Sequence, residues 1–358
     1  MVDLQSVYST YPLVSIIIPL YNRVTLIGDT LQSVIQQSYE NWEAIVMDDG
    51  STDGSYELAE KMANHDARIK LHKRSRLPKG ASACRNIGAA LATGEYLIFL
   101  DSDDLLAPFC LERRVKHFHE FPENDFIIFP MLLFNKEPYD LKILWNIDNE
   151  EDDLLRFLRG DAMWQTTCPI YQKASFFKTA GFDETLSFWQ DYELHMRTLT
   201  LGLQYKKLMH VTPDCYNRRH KQDTISQGNN VTPPKLQVKE KVYRKMYAEL
   251  NAFEKERKSV YQEICAAMLF KISFQWVIHC RDLNQALRCW HTCYEQHMVS
   301  FPTYKAGYYC LQAKYWQKKH VIYYLPLGVI YKFMHVLLPE KYRTSKSTLC
   351  QVPLSNAR

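Results

Sequence analysis

Along residues 14–101, short apolar runs of strand length alternate with amphipathic stretches of helical spacing. Val14-Ser15-Ile16-Ile17-Ile18-Pro19 is rich in β-branched residues and stops at proline, which predicts a first buried strand. Thr25 to Gln37 spaces Leu26, Leu31, Val34 and Ile35 as a helix would. Glu43-Ala44-Ile45-Val46-Met47 predicts a second strand, Ser55 to Asn64 a second helix and Ile69-Lys70-Leu71-His72 a third strand. Ala81 to Thr93 predicts a third helix, with Gly94 placed to stop it. Tyr96-Leu97-Ile98-Phe99-Leu100 is the fourth strand.

Strand–helix alternation predicts a mostly parallel sheet with helices on both faces. Ligands bind such sheets at the carboxyl ends of the strands. Here those ends carry Tyr21-Asn22, Asp48-Asp49-Gly50-Ser51 and Asp101-Ser102-Asp103-Asp104. A buried strand cannot hold the last three carboxylates inside, so they sit where it leaves the sheet. Two readings fit them: an acidic turn capping the next helix, or hard oxygen ligands for Mg²⁺ or Mn²⁺ carrying a phosphate. Convergence of polar residues on one edge favours a site.

Residues 121 to 230 are less regular. Phe126-Ile127-Ile128-Phe129 predicts a strand, Asn149 to Leu158 a short helix, Gly181-Phe182-Asp183-Glu184 a turn and Asp191 to Leu201 a helix. Val231-Thr232-Pro233-Pro234 reads as a linker. Beyond it, lysine, glutamate, methionine and aromatics recur at helical spacing with no new acidic strand end. The expected organisation is a sheet domain over 12–230, divided into halves at 12–120 and 121–230. A mainly helical extension follows over 235–358.

Composition changes this picture little. With 46% hydrophobic and 23% charged residues, the 358-residue chain can bury a full core. A net charge of only +4 implies no nucleic-acid partner. Met1 to Tyr11 lacks a basic segment leading into an apolar core, so no secretory leader is expected. No unbroken apolar run of about 18 residues occurs, so no membrane-spanning helix is expected. Ten scattered cysteines then read as free thiols of a reducing compartment, and the expected location is cytoplasmic.

The strand ends and later motifs together resemble the family 2 glycosyltransferases, which have the GT-A fold. The matching segments begin with Val14 to Asn22, Val46 to Ser55 and Ala83-Cys84-Arg85-Asn86-Ile87-Gly88. They continue with Gly94 to Asp104, Gly181 to Glu184 and Gln190-Asp191-Tyr192-Glu193-Leu194-His195-Met196-Arg197. The resemblance covers roughly residues 12 to 226 and implies an inverting transferase that uses a nucleotide-sugar donor, UDP-linked by preference. Pro19, Tyr21 and Asn22 are then implied to line the base and ribose pocket. Asp49 accepts the imide N–H of a uracil-like base, or else closes an Asx turn before Gly50. Arg85 lies near base and phosphates, or forms a helix-face ion pair.

By the same resemblance, Asp103 contacts Mn²⁺ or Mg²⁺ and Asp101 lies nearer the ribose and shares the metal. Asp104 is a cap or supports the others. Asp191 is the general base, with an N-cap as the alternative. Gln190 departs from the family, in which many relatives carry an acid. Glu193 is an acceptor contact or a helix-face charge, and Trp164 and Trp189 are sugar platforms or core residues. Arg218, Arg219 and His220 resemble a loop closing over the diphosphate, with His220 completing the metal shell or the segment simply a solvated basic loop.

Other enzymes fit less well. Pro19-Leu20-Tyr21-Asn22-Arg23 has no glycine-rich phosphate loop, as a sugar-1-phosphate nucleotidyltransferase would want, and no Gly-x-Gly-x-x-Gly of a dehydrogenase. A non-catalytic nucleotide-sugar-binding module would not need Asp191. Cys289, Cys293 and His297 fall on one helix face but lack common zinc spacing, so core packing competes with a metal site. Val321 to Leu338 is apolar and aromatic, flanked by Lys314, Lys318, Lys319, Lys341 and Arg343. Peripheral contact with the inner face of a membrane through 314–343 is one reading, and docking on the catalytic domain is the other. The expected partners are a nucleotide-sugar donor and a glycan or lipid-linked acceptor.

Overall fold

The computed structural model describes residues 11–219, 231–250 and 253–319, with 332, 338, 342 and 352–354 beyond them. They divide into two compact units. The first comprises 1–150, 162–221 and 349–358, and the second comprises 151–161 and 222–348.

The first unit is built on a seven-stranded sheet. Its strands are β1 (Val14–Leu20), β2 (Trp42–Asp48), β3 (Ile69–Lys73), β4 (Tyr96–Phe99), β6 (Phe126–Ile128), β9 (Pro169–Gln172) and β10 (Tyr205–Lys207), in the order β10-β6-β9-β4-β1-β2-β3. All pairings are parallel except those of β9, which runs antiparallel to both β4 and β6. Every residue of β1 and β2 is buried, as expected for parallel strands covered on both faces. β1 continues through Pro19 to Leu20 in register with β2, with Pro19 opposite Met47.

Between strands lie α1 (Ile27–Ile35), α2 (Ser55–Ala63) and α3 (Ala81–Leu91). α3 settles closely on β1 because Gly88 faces Ile17; a Cβ there would come within 2.5 Å of the Ile17 side chain. From β3 the chain passes through α3 to the far side of β1, where it forms β4. The reversal of strand order between β1 and β4 opens a crevice at their carboxyl ends.

A five-stranded sheet in the order β12-β8-β7-β11-β5 completes this unit. It comprises β5 (Leu105–Leu106), β7 (Met131–Phe134), β8 (Ile143–Leu144), β11 (Cys215–Arg218) and β12 (Val352–Pro353). Ala107, Leu132, Phe134, Leu144 and Tyr216 form its core. None of these short strands was predicted, because two to four residues give no usable period. α4 (Cys110–Glu120) and α6 (Lys173–Lys178) were likewise not predicted. α7 (Gln190–Thr200) matches its expected span. The lower edge of the large sheet is fastened by Glu43, which accepts from Ser15 Oγ at 2.6 Å and Thr93 N at 2.6 Å and pairs with Lys70. Burial pushes its carboxyl up, but these bonds outweigh it and hold the pKa at about 2.

The second unit is helical: α5 (Asp153–Leu158), α8 (Pro233–Glu249), α9 (Lys255–Gln275), a π turn over Trp276–Cys280, α10 (Leu283–Glu295) and α11 (Phe301–Lys319). Asp152 caps α5 by accepting from Leu155 N at 2.8 Å, and Asp282 caps α10 through Gln285 N at 2.9 Å. Cys289 and Cys293 are core residues of α10 whereas His297 is exposed beyond it, so the three do not gather into a metal site. Burial pushes the Cys293 thiol up to about 12. By length and composition alone, one segment among the described residues, Lys255–Cys280, is long and apolar enough to cross a membrane. Half of its apolar window is buried in the protein, as in a core helix.

Within the first unit, Arg114 of α4 and Asp214 are both fully buried and joined by paired bonds of 3.1 and 2.7 Å. Arg114 also donates to Thr167 O at 2.9 Å, tying α4 to the segment before β9. Replacing Asp214 by Ala strands a buried guanidinium, and chemical denaturation is expected to show a loss of ~3–5 kcal/mol.

Candidate active site

Three loops meet at the crevice. The first leaves β1 as Tyr21-Asn22-Arg23. Asn22 takes a left-handed conformation (φ 49°), and its side chain accepts from Thr52 N at 2.9 Å while its own N–H donates to Ser51 Oγ at 3.1 Å. Asn22 thereby stitches the β1 exit to the β2 exit. Tyr21 is 44% exposed, with Lys79 Nζ 3.7 Å from its ring centre. Pro19 is buried in the strand behind them.

The second loop leaves β2. Asp48 accepts from Gly50 N at 3.0 Å and Ser51 N at 3.2 Å, closing an Asx-type turn around Gly50 at φ 87°. The turn-closing role offered as an alternative for Asp49 thus belongs to its neighbour. Asp49 is buried, points elsewhere and pairs with Arg74, just beyond β3. Arg74 was not singled out from the sequence. It could have been, since it too sits at the carboxyl end of a parallel strand.

The third loop is the acidic turn after β4. Asp101 accepts from Arg85 Nη2 at 2.5 Å and lies 3.4 Å from Gln165 Nε2. Arg85, on α3, is 5% exposed, and its Nε is buried with no hydrogen-bond partner. Asp103 faces Arg23 Nε at 3.5 Å, and its side chain is 18% exposed. Asp104 is fully buried, bonded to Arg218 N at 2.9 Å and to Asn217 Nδ2 at 3.1 Å. Burial pushes the Asp104 carboxyl well up, and the charges of Asp103 and Asp101 push it further; the β11 donors oppose them.

Asp101, Asp103 and Asp104 bring ligand oxygens within 4.8 Å of one another. Hard carboxylate oxygens at this spacing fit Mg²⁺ or Mn²⁺. Asp104 is already committed to β11, so the oxygens that would hold an ion are those of Asp103 and Asp101. His220 lies outside the described residues. Arg218 clamps the turn by donating to Asp103 O at 3.0 Å and pairing with Asp29 at 3.0 Å. Arg219 follows, half-buried, and burial pushes its pKa down.

Asp191 stands in the first turn of α7. The N-cap position is Trp189, so Asp191 does not cap the helix; it accepts from Tyr192 N at 2.8 Å. Burial raises its pKa, the Arg85 charge and the Tyr192 bond lower it, and the Asp101 charge raises it again. Arg85 thus acts electrostatically on both Asp101 and Asp191. Trp189 is half-buried in a left-handed conformation (φ 61°), stacked on Tyr192 at 4.4 Å between ring centres. Such a backbone is strained for a bulky residue.

Two sequence expectations are corrected here. Trp164 is 1% exposed, packed among Phe126, His195 and Tyr205, and offers no face to a sugar. Glu193 is fully buried and bonded to Arg197 at 2.8 and 2.7 Å, so it touches no acceptor. Arg197 continues to Gly181 O at 2.8 Å. Asn86 holds the same turn, accepting from Phe182 N at 2.8 Å and donating to Phe182 O at 2.9 Å. These residues position Phe182, whose ring lies 5.1 Å from the Arg85 guanidinium.

Residues 15–186 match the family model described as Glycosyl transferase family 2. An uncharacterized glycosyltransferase of Haemophilus influenzae is 43% identical over 104 residues, which is 29% of this chain and 41% of that protein. The chain spans less than half the length of that relative. Among solved structures, residues 1–349 of Staphylococcus aureus TarS in complex with UDP-GlcNAc superpose with a TM-score of 0.60 at 21% identity, covering 87% of this chain and 93% of TarS. The mannosyltransferase PcManGT of Pyrobaculum calidifontis, in complex with GDP-Man and Mn²⁺, gives 0.52 at 17% identity over 92% of this chain and 86% of that one. At these identities the structures establish a shared fold.

Asp104→Ala is expected to leave the Arg218 N–H and the Asn217 amide unsatisfied. Urea denaturation should show a loss of ~1–3 kcal/mol.

Proposed function

We propose that this chain, which belongs to the family 2 glycosyltransferases through residues 15–186, moves a sugar from a UDP-linked donor to a glycan or lipid-linked glycan, inverting the anomeric centre. The arrangement of Arg85 between Asp101 and Asp191 carries this reading. A cation there serves both a nucleotide-diphosphate end and a base end of one crevice.

In this reading Asp49, paired with Arg74, accepts the imide N–H of uracil, and Tyr21 walls the base pocket with Asn22 and Pro19 behind it. Asp103 and Asp101 would hold Mn²⁺ or Mg²⁺, which when bound neutralises the diphosphate and makes it a better leaving group. The unpartnered Arg85 Nε supplies a further donor to the donor substrate. The acceptor hydroxyl gives its proton to Asp191 as its oxygen bonds to the anomeric carbon. The bond from that carbon to the phosphate oxygen breaks, and the nucleoside diphosphate leaves with the electron pair. One displacement inverts the centre, so an α-linked donor yields a β-linked product. Trp189 with Tyr192 offers an aromatic face for the acceptor sugar.

Free thiols support a reducing, cytoplasmic setting: the nine cysteines among the described residues are all unpaired. The hexosyl or N-acetylhexosaminyl identity of the donor sugar is a matter for a donor panel read by released nucleotide.

Asp191→Asn should lower transfer by ~10²–10⁴-fold while leaving the thermal shift caused by UDP unchanged. Transfer at the wild-type rate would remove Asp191 from the base role. Because Asp191 titrates above the ordinary aspartate range, kcat/KM should fall with decreasing pH through a correspondingly raised value. Arg85→Gln should move that acid limb higher still, since loss of a positive charge disfavours the carboxylate.

Asp103→Ala should abolish the part of UDP stabilisation that depends on added Mn²⁺, as read by thermal shift with and without the ion. An undiminished Mn²⁺ effect would assign the ion to other residues.

A further inference from the structure

Residues 74–80 run from the end of β3 to the start of α3 with little packing of their own. Ser75, Arg76, Leu77, Pro78 and Lys79 are all exposed. A loop without buried apolar contacts depends on its polar ties for its place. Three cationic side chains supply them, and each reaches a different part of the crevice. Arg74 pairs with Asp49 at the β2 exit and also bonds Arg76 O. Lys79 stands over the Tyr21 ring at the β1 exit. Arg76 reaches across to Glu184, in the turn before α7, through two bonds of 2.6 Å.

Glu184 has a second partner. Its Oε1 also accepts from Asn86 Nδ2 at 2.8 Å. Asn86 follows Arg85 on α3, so one carboxylate holds both the loop and the helix that carries Arg85. Gly181 allows this approach, since a Cβ there would lie 2.5 Å from Asn86 Oδ1. The Arg76 bonds outweigh burial and hold the Glu184 carboxyl below its ordinary range, and the Asn86 bond adds to them. The pair is open to water, with side chains 48% and 18% exposed, so it contributes little to folding. What a two-pronged bond on such a loop does fix is its conformation.

We propose that Glu184 is a positioning residue for the nucleotide: by grasping Arg76 and Asn86 together, it sets residues 76–86 as one wall of the donor pocket before the donor arrives. Binding then avoids the cost of ordering that loop. The inference rests on the transferase reading, because it takes Asp49 and Tyr21 as the base end of the crevice. Glu184 itself touches no substrate and acts through its two partners.

Glu184→Gln keeps an oxygen for Asn86 and loses the charge that holds Arg76. Arg76→Gln cuts the same link from the exposed side. Titration of the full chain with UDP, followed by calorimetry, should show the dissociation constant rising about fivefold in either variant. The melting temperature without UDP should not change. The double variant should show the same fivefold loss and not about 25-fold, since both side chains act through one link. Arg76→Lys keeps the charge without the paired geometry and should fall between wild type and Arg76→Gln. With whichever UDP-sugar supports turnover, KM should rise likewise while kcat stays within about twofold. Multiplied effects in the double variant, or a fall in kcat at unchanged KM, would overturn the assignment. A wild-type chain that ignores UDP would overturn the transferase reading and this inference with it. A wild-type response that both single variants keep in full would overturn this inference alone.

Discussion

One buried carboxylate pins the acidic turn that leads from β4 to β5. Asp104, next to β5, accepts from both Asn217 and Arg218 on β11, and offers its own carbonyl to Thr30 Oγ1 of α1 at 2.9 Å. Burying a carboxylate is unfavourable unless donors surround it. The turn that precedes Asp104 therefore has little freedom left. Asp101 and Asp103 are held at the crevice by this constraint.

Around that turn, negative charge is balanced locally. Asp49 faces Arg74, Asp101 faces Arg85, and Asp103 faces Arg23. These pairs differ in accessibility, and the differences sort their roles. Arg23 and Asp103 are the most weakly joined, at 3.5 Å, while the Asp101 side chain is the most exposed of the three carboxylates, at 27%. Arg85 is enclosed, with one nitrogen unsatisfied, which suits a group awaiting a polar ligand. The lower edge of the sheet behaves differently. Glu43 is saturated by Ser15, Lys70 and Thr93 and has nothing left to give. Both edges concentrate charge, but at the carboxyl edge the buried Arg85 Nε has no hydrogen-bond partner.

Much of the large sheet was legible in the sequence because its signals are local. A run such as Val14 to Leu20 is apolar but for Ser15 because both faces are covered, and the strand ends follow from where the apolar run stops. Asp49, Asp101, Asp103 and Asp191 were singled out from the sequence through motif and position. The short strands of the second sheet were not, since pairing partners far along the chain define them. Arg218 and Asp104, for instance, are separated by 114 positions.

Sequence determined the alternation of strands and helices and the polar character of the edge where they end. It could not determine the direction of each side chain around that edge. Trp164 and Glu193 each carried two readings in the chain, yet packing against Phe126, His195 and Tyr205 encloses the first and the Arg197 link encloses the second. Asp48 and Asp49 look equivalent in the chain, yet the turn at Gly50 consumes one and frees the other for Arg74. These outcomes were left to the tertiary structure because the orientation of a strand-end residue depends on which donors arrive from distant segments, and local pattern carries no record of them.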